Sequence, residues 1–308
     1  MRPLHLLIAI TVTCLWGFNF SIIKLGVQHT NPFLLTALRF SFACLPLIFF
    51  VSKPDTSWWN ISIYGITFGV GVWGMMSLSI EQGLSAGMAS TIIQASSIMS
   101  IFIGVIYFGE KLKTSQVIGL LISSLGLAMI FYIEDGSVTL KGFLFAFIGA
   151  TSLSLVNFLI KKAQIKKMFA FIVYSSLFAP LPLLLMAFIT DDLLSLSNIM
   201  LHINETVIFS ALMQAYPTTL LGYWAWNRLL TRYPLSVMSP LRLLVPIFGL
   251  AGSILFFGEP IDRFKLVAFL LVLIGVCMPL ISKVWRPASN YLRTFNSTVK
   301  KQNTHKRR

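Results

Sequence analysis

Two stretches decide the fold. IIQASSIMSIFIGVIYFGEKLK (92–113) ends an apolar run on Phe108-Gly109-Glu110, and SPLRLLVPIFGLAGSILFFGE (239–259) ends another on Phe257-Gly258-Glu259, 149 residues later. At the same offset Ser90 pairs with Ser239, Ile98 with Ile247, Gly126 with Gly275 and Met129 with Met278. Earlier in the chain FACLPL (42–47) returns as FAPLPL (178–183), and Asn19-Phe20 with Lys24 return as Asn157-Phe158 with Lys162. Matches in the same order mark an internal duplication rather than chance likeness between apolar segments.

Each copy contains several apolar runs of about 20 residues, the length that spans the ~30 Å hydrocarbon core of a bilayer. The 308-residue chain is 56% hydrophobic and only 11% charged, with 24 Lys plus Arg against 10 Asp plus Glu. Soluble domains carry about 25% charged residues. A soluble enzyme, a nucleic-acid binder and a secreted disulfide scaffold are excluded. Cys14, Cys44 and Cys277 sit in apolar runs without ligand spacing and read as small hydrophobes.

Spans are expected near 4–26, 32–51, 61–80, 86–108, 115–133, 142–160, 169–189, 205–227, 234–257 and 264–283. Lipid leaves backbone polar groups no partner, so spans are helices or closed barrels, and runs without period-two alternation are helices. The first run, from Leu4, has no small-residue cleavage site and reads as an uncleaved helix. The expectation is an all-α polytopic membrane protein: ten transmembrane helices as two inverted five-helix repeats, 4–133 and 139–283, because five crossings turn the second copy upside down. Such repeats place a site at the midplane between the halves. Eighteen of the 24 Lys and Arg fall on the N-terminal side of the membrane, including eight from Lys283 onward. The positive-inside bias therefore places both termini in the cytoplasm. The basic tail 284–308 is expected to be disordered or to rest on anionic membrane lipids.

All ten acids and all four histidines lie in loops or at span ends. Asp191-Asp192 has no second acidic cluster, and no phosphate-cradling Gly-rich loop precedes a Lys. Nothing in this inventory assembles a hydrolase, a metal site or an ATP-driven pump. No enzyme activity and no cofactor is expected, and Glu110 and Glu259 read as caps of the two helix junctions.

The chemistry left is polar and aromatic, at mid-depth. Candidate substrate-binding residues are Trp16, Asn19, Arg39, Trp73, Gln94, Ser97, Ser154, Tyr216 and Arg242. Ser90, Thr91, Gln94 and Ser97 share one helix face, as do Trp16, Asn19 and Phe20. Such stripes line a water-filled cavity, or serve as interhelical hydrogen-bond glue worth only ~0.6–2 kcal/mol. Arg39 and Arg242 are sharper, because a guanidinium in the bilayer needs a cavity, a partner or a substrate anion. No acid stands at their depth. A carboxylate-bearing metabolite supplies the missing charge, and carbonyls freed at Pro240 and Pro246 are the alternative.

WGFNFSIIKLG (16–26), ALRF (37–40), GLSAGMAS (83–90), FGEKL (108–112) and SPLRLLVPIFGLAGS (239–253) resemble the EamA-type transporters of the drug/metabolite transporter superfamily. The likeness runs from about residue 4 to 283 and is closest to bacterial inner-membrane exporters of O-acetylserine and cysteine. It implies two bundles that rock around a central cavity, with Trp16, Asn19, Gln94, Pro240 and Pro246 in the recurring segments. Arg242 stands where relatives have an uncharged residue. The expected function is export of small amino-acid-like metabolites. An S-adenosylmethionine importer is the alternative, and a non-transporting membrane interaction protein a third.

Overall fold

Proline and short polar caps start the helices. In α1 (Pro3–Val27) the proline occupies the first turn, where its missing N–H has no intrahelical partner to lose. In α2 (Pro32–Cys44) Asn31 Oδ1 accepts the N–H groups of Phe33 and Leu34 at 2.8 and 3.3 Å. The computed structural model describes residues 1–308 except 110, 111, 131, 134, 166, 191–202, 231, 234–237, 239, 240 and 285–308. All regular elements among the described residues are helical.

The expected span 32–51 is not one α-helix. It ends at Cys44, and only a 3-10 turn at Leu47–Phe49 follows. Pro46 has no N–H to continue the ladder and its ring excludes the preceding turn.

α3 (Trp58–Ile66) passes through a π-helical stretch, Thr67–Gly74, into α4 (Met75–Glu81). α5 (Ala86–Ile92) breaks at Ile93-Gln94 before α6 (Ala95–Phe108). α7 (Thr114–Ile130), α8 (Leu140–Ala163), α9 (Met168–Ser176) and α10 (Pro180–Thr190) follow. α11 (Glu205–Met213) runs through a second π-helical stretch, Gln214–Leu221, into α12 (Gly222–Leu230). α13 (Leu244–Phe257) and α14 (Arg263–Val284) complete the described chain.

The duplication read from the sequence is visible in the backbone. Gly109 and Gly258 end α6 and α13 in the same left-handed conformation, φ 62° and ψ 25° against φ 60° and ψ 26°. Only glycine adopts it without cost, which explains the shared Phe-Gly-Glu string. The two π-helical stretches also fall at equivalent places, as do the breaks before α6 and α13.

Among the described residues, six helical segments are long and apolar enough to cross a membrane: Pro3–Val27, Pro32–Phe49, Trp58–Glu81, Ala86–Tyr107, Leu140–Ile160 and Met168–Thr190. Thr114–Ile130 and Leu244–Phe257 are shorter apolar helices. Large apolar side chains such as Leu121, Leu181, Leu185, Ile189 and Leu255 face outward, as lipid contact requires. The interior is lined by Phe20, Phe33, Phe40, Ile61 and Phe171. α1 crosses α13 closely at Gly17, where an added Cβ would stand 2.6 Å from Val245 O and 2.8 Å from Gly249 N. Glu110, Pro240, Asp191-Asp192 and the tail beyond Val284 lie outside the described residues.

Glu259 does more than close a turn. Its Oε1 accepts Lys24 Nζ at 2.6 Å and its Oε2 accepts the Ser253 hydroxyl. Ser253 Oγ in turn accepts the Gly87 N–H at 3.0 Å. α1, α5 and α13 are thus tied together at the end of the bundle that carries Lys24. At the opposite end, His5 Nδ1 is 2.7 Å from the Tyr233 hydroxyl, which also accepts the Arg2 N–H at 3.2 Å.

Candidate functional site

A cavity of about 230 Å³ begins at mid-bundle and reaches Ile160, Met168 and Leu230 near the N-terminal end. Six of the lining residues are aromatic. α1 supplies Trp16 and Phe20, α3 supplies Tyr64, the first π-helical stretch supplies Trp73, and α12 supplies Tyr223 and Trp226. Trp16 stands with its ring centroid 5.2 Å from those of both Tyr223 and Trp226, and Phe20 stands 6.2 Å from Trp73. These separations lie within the range of favourable tilted ring contacts.

Polar side chains share the lining: Gln94 and Arg242, with Asn157 from α8 and Asn227 from α12. Gln94 sits in the break between α5 and α6, where its N–H reaches back only to Thr91 O, at 3.1 Å. Arg242 precedes the equivalent break at Leu243. Interrupted helices in both halves bring these side chains to mid-bundle, the arrangement inverted-repeat carriers use to build polar sites in lipid. Arg242 is exposed to the cavity, and among the described residues it makes no hydrogen bond and no ion pair.

A second cavity, of about 240 Å³, lies between α6, α7, α14 and the residues just before α13, and its lining includes Ser97, Gln116 and Ser123. Gln94 and Arg242 line it as well, so these two side chains stand where both cavities meet.

Of the nine residues expected from sequence, Trp16, Trp73, Gln94 and Arg242 share the first cavity and Ser97 lines the second. The other four have protein partners outside both linings. Asn19 is buried and its Oδ1 accepts the Thr218 hydroxyl at 3.2 Å. Ser154 is buried and donates to Thr151 O at 2.7 Å. Tyr216 donates to Leu45 O at 3.3 Å. Arg39 is 1% exposed and donates to Thr219 Oγ1 and Gln214 Oε1.

The two expected polar faces therefore split. Ser90 and Thr91 are buried and their hydroxyls return to Gly87 O, at 2.7 and 3.0 Å, while Gln94 and Ser97 face open space. The break at Gln94 turns the second half of the face away from the first. In α1, Trp16 and Phe20 face the cavity and Asn19 faces the second π-helical stretch. Its Thr218 O also accepts Trp16 Nε1 at 3.0 Å, which fixes that indole in the cavity wall.

Tyr64, Tyr223, Trp226 and Asn227 were missed from sequence. The spacing of Tyr223, Trp226, Asn227 and Leu230 is a single helix face and carries that signal. Tyr64 had none, because a π-helical stretch separates it from Trp73 and shifts the register between them. Among the described residues no group of three His, Cys, Asp or Glu could hold a metal ion.

Several helices long and apolar enough to cross a membrane, packed around a partly polar cavity, are the architecture of a multi-pass membrane protein. Residues 3–132 and 140–281 each match the EamA-like transporter family, and the chain belongs to that family. It is 30% identical over 275 residues to a probable amino-acid metabolite efflux pump of Salmonella typhimurium, covering 87% of this chain and 92% of that one. Against a protein of the same description from Escherichia coli the identity is 29% over 289 residues, covering 91% and 96%. A solved structure with 15% identity superposes with a TM-score of 0.61 over 93% of this chain and 98% of the other, and shares its fold.

Proposed function

We infer that the protein is a secondary carrier that exports small amino-acid-like, carboxylate-bearing metabolites such as cysteine or O-acetylserine across a bacterial inner membrane. The observation that carries this reading is the guanidinium of Arg242, without a protein acceptor among the described residues, at the junction of two cavities, the first of which six aromatic side chains also line. A carboxylate there receives charge-assisted hydrogen bonds, Gln94 and Ser97 offer further polar contacts, and Trp16 and Trp73 cover the rest of the solute. Two similar proteins described as probable amino-acid metabolite efflux pumps support the substrate class and the direction.

The halves 4–133 and 139–283 act as inverted five-helix repeats, ten spans in all, with both termini cytoplasmic. In the conformation described, the cavity reaches the N-terminal end while Lys24, Glu259, Ser253 and Gly87 tie the opposite end together. In this reading it is the inward-open state of an alternating-access cycle.

The aromatic wall also suits a sulfonium cation, which supports a second reading, S-adenosylmethionine import. Counterflow in proteoliposomes decides between them, with vesicles loaded in turn with cysteine, O-acetylserine, aromatic amino acids and S-adenosylmethionine. Exchange of cysteine or O-acetylserine alone supports the exporter. Exchange confined to S-adenosylmethionine replaces the substrate, and no exchange with a stable protein partner on pull-down points to the interaction protein.

A further inference from the structure

Arg39 belongs to α2 in the first half, yet its hydrogen-bond partners lie in the second. Nε and Nη2 donate to Thr219 Oγ1 at 3.2 and 2.9 Å, and Nη1 donates to Gln214 Oε1 at 3.3 Å. Both acceptors sit on the second π-helical stretch, Gln214–Leu221. Their orientation is fixed in turn. Thr219 Oγ1 donates to Gln214 O at 2.8 Å, so its lone pairs are left for the guanidinium. Gln214 Nε2 donates to Ser210 Oγ at 3.1 Å, and Ser210 Oγ donates to Ile22 O of α1 at 2.6 Å.

One surface of this held cation packs on a ring. Arg39 Cζ lies 4.0 Å from the centroid of the Trp73 indole, and Arg39 is absent from the lining of both cavities while Trp73 lines the first. Trp73 is 9% exposed, and its Nε1 has no hydrogen-bond acceptor in the structure among the described residues. An indole N–H is a donor only, and a buried one without an acceptor is costly. The N–H itself is closed off from the cavity, so it is the face of the ring, not a bond from Nε1, that the cavity wall presents.

We propose that Arg39 is a positioning residue of the transport site: clamped by the second half, it holds the Trp73 ring in the wall of the cavity that Arg242 also lines. This rests on the exporter reading for the ligand, but the placement of Trp73 by Arg39 does not. Phe20 and Phe68 approach the Trp73 ring at centroid distances of 6.2 and 6.1 Å, and the guanidinium, closer at 4.0 Å, supplies the contact that ties the ring to the second half. The clamp also makes the site a joint product of both halves. Separation of α2 from Thr219 and Gln214 during the transport cycle releases the indole, and with it one ligand contact.

The first test uses no ligand. The protein is prepared with 5-fluorotryptophan in detergent micelles, and fluorine NMR reads its seven tryptophans. W73F identifies the Trp73 line. Expected is one narrow Trp73 line in the parent, and a shift with at least twofold broadening of that line alone in R39Q. An unchanged Trp73 line in R39Q overturns the proposal. If R39Q collapses all lines toward one position, R39K decides, since it keeps the charge and loses the planar fork; a Trp73 line at its parent position and width in R39K overturns the proposal.

The second test reads function. In cysteine counterflow, R39Q and W73F each raise the half-saturation concentration about fivefold with little change in maximal rate, and R39Q in a W73F background adds nothing. Additive effects overturn the proposal, because then Arg39 does not act through Trp73. Absence of exchange of any amino acid by the parent defeats the exporter reading, and the fluorine spectra still decide the role of Arg39.

Discussion

Lys24 Nζ and Glu259 Oε1 are 2.6 Å apart, an ion pair between residues 235 positions apart in sequence. Lys24 Nζ also lies 4.4 Å from the Phe257 ring centroid, so both members of the pair contact the end of α13. From sequence alone Glu259 reads as a turn cap. Gly258 ends α13 with its N–H on Ile254 O at 2.9 Å, and leaves the carboxylate free to bind Lys24 and Ser253. Removing one charge leaves the other partly buried and unpaired. E259Q or K24M is expected to lose about 2 kcal/mol, between the values for exposed and buried pairs. The reversed pair K24E/E259K recovers most of it. Thermal unfolding in micelles measures both, and equal losses in the reversed pair and the single variants refute the pairing.

A second ion pair gives a pH dependence. Lys265 Nζ donates to Asp135 Oδ2 at 2.7 Å and to Pro260 O at 3.0 Å, which joins the segment between the two halves to the start of α14. Burial pushes the Asp135 carboxyl up, but the bond from Lys265 and the Ser137 N–H outweigh it and hold the group below its ordinary value. The unfolded chain then binds the proton more readily. The pair's contribution is complete above the unfolded value of about 4 and is lost as pH falls through the lowered one. Melting temperature against pH is expected to fall less below pH 4 in D135N than in the parent. Identical slopes rule the contribution out.

The α1–α13 crossing depends on the absence of a side chain at Gly17. With Val245 O and Gly249 N within 2.8 Å of an added Cβ, backbone must move to admit even a methyl group. G17A is expected to cost about 1–3 kcal/mol, and G17V more. Protein yield and melting temperature are the measurements. A G17A protein as stable as the parent would show that the crossing is looser than described.

Arg242 is expected to set affinity rather than stability. It makes no ion pair among the described residues, so R242Q forfeits no protein partner there and yield is unchanged. Loss of one charge-assisted bond to a carboxylate, about 1.5–3 kcal/mol, raises half-saturation about tenfold to a hundredfold. Unchanged affinity for a carboxylate substrate removes Arg242 from the site.

Much of the architecture was legible in sequence because its causes are local or repetitive. Length and apolarity mark the spans, and the string Phe-Gly-Glu marks a helix end that needs a left-handed residue twice. Of the candidate residues chosen by depth, Trp16, Trp73, Gln94 and Arg242 come together in one cavity. Depth failed where neighbours decide. Asn19 and Trp16 are three residues apart on one helix, yet one faces the Thr218 hydroxyl and the other the cavity. Tyr223 and Trp226 were passed over although their spacing marks one face.

The sequence by itself determined a membrane protein of duplicated helical segments. Hydropathy over 20 residues and a recurring string are properties of the chain, and lipid enforces the helix wherever the run is long enough. Only the tertiary structure decided where the two arginines stand and what they touch. Arg39 and Arg242 have the same side chain and both sit among apolar residues, but packing presses one onto Trp73 with acceptors from the other half and leaves the other facing two cavities. The difference lies in residues more than 170 positions distant, such as Gln214 and Thr219, and in the place where a helix breaks, and no local pattern around an arginine encodes either.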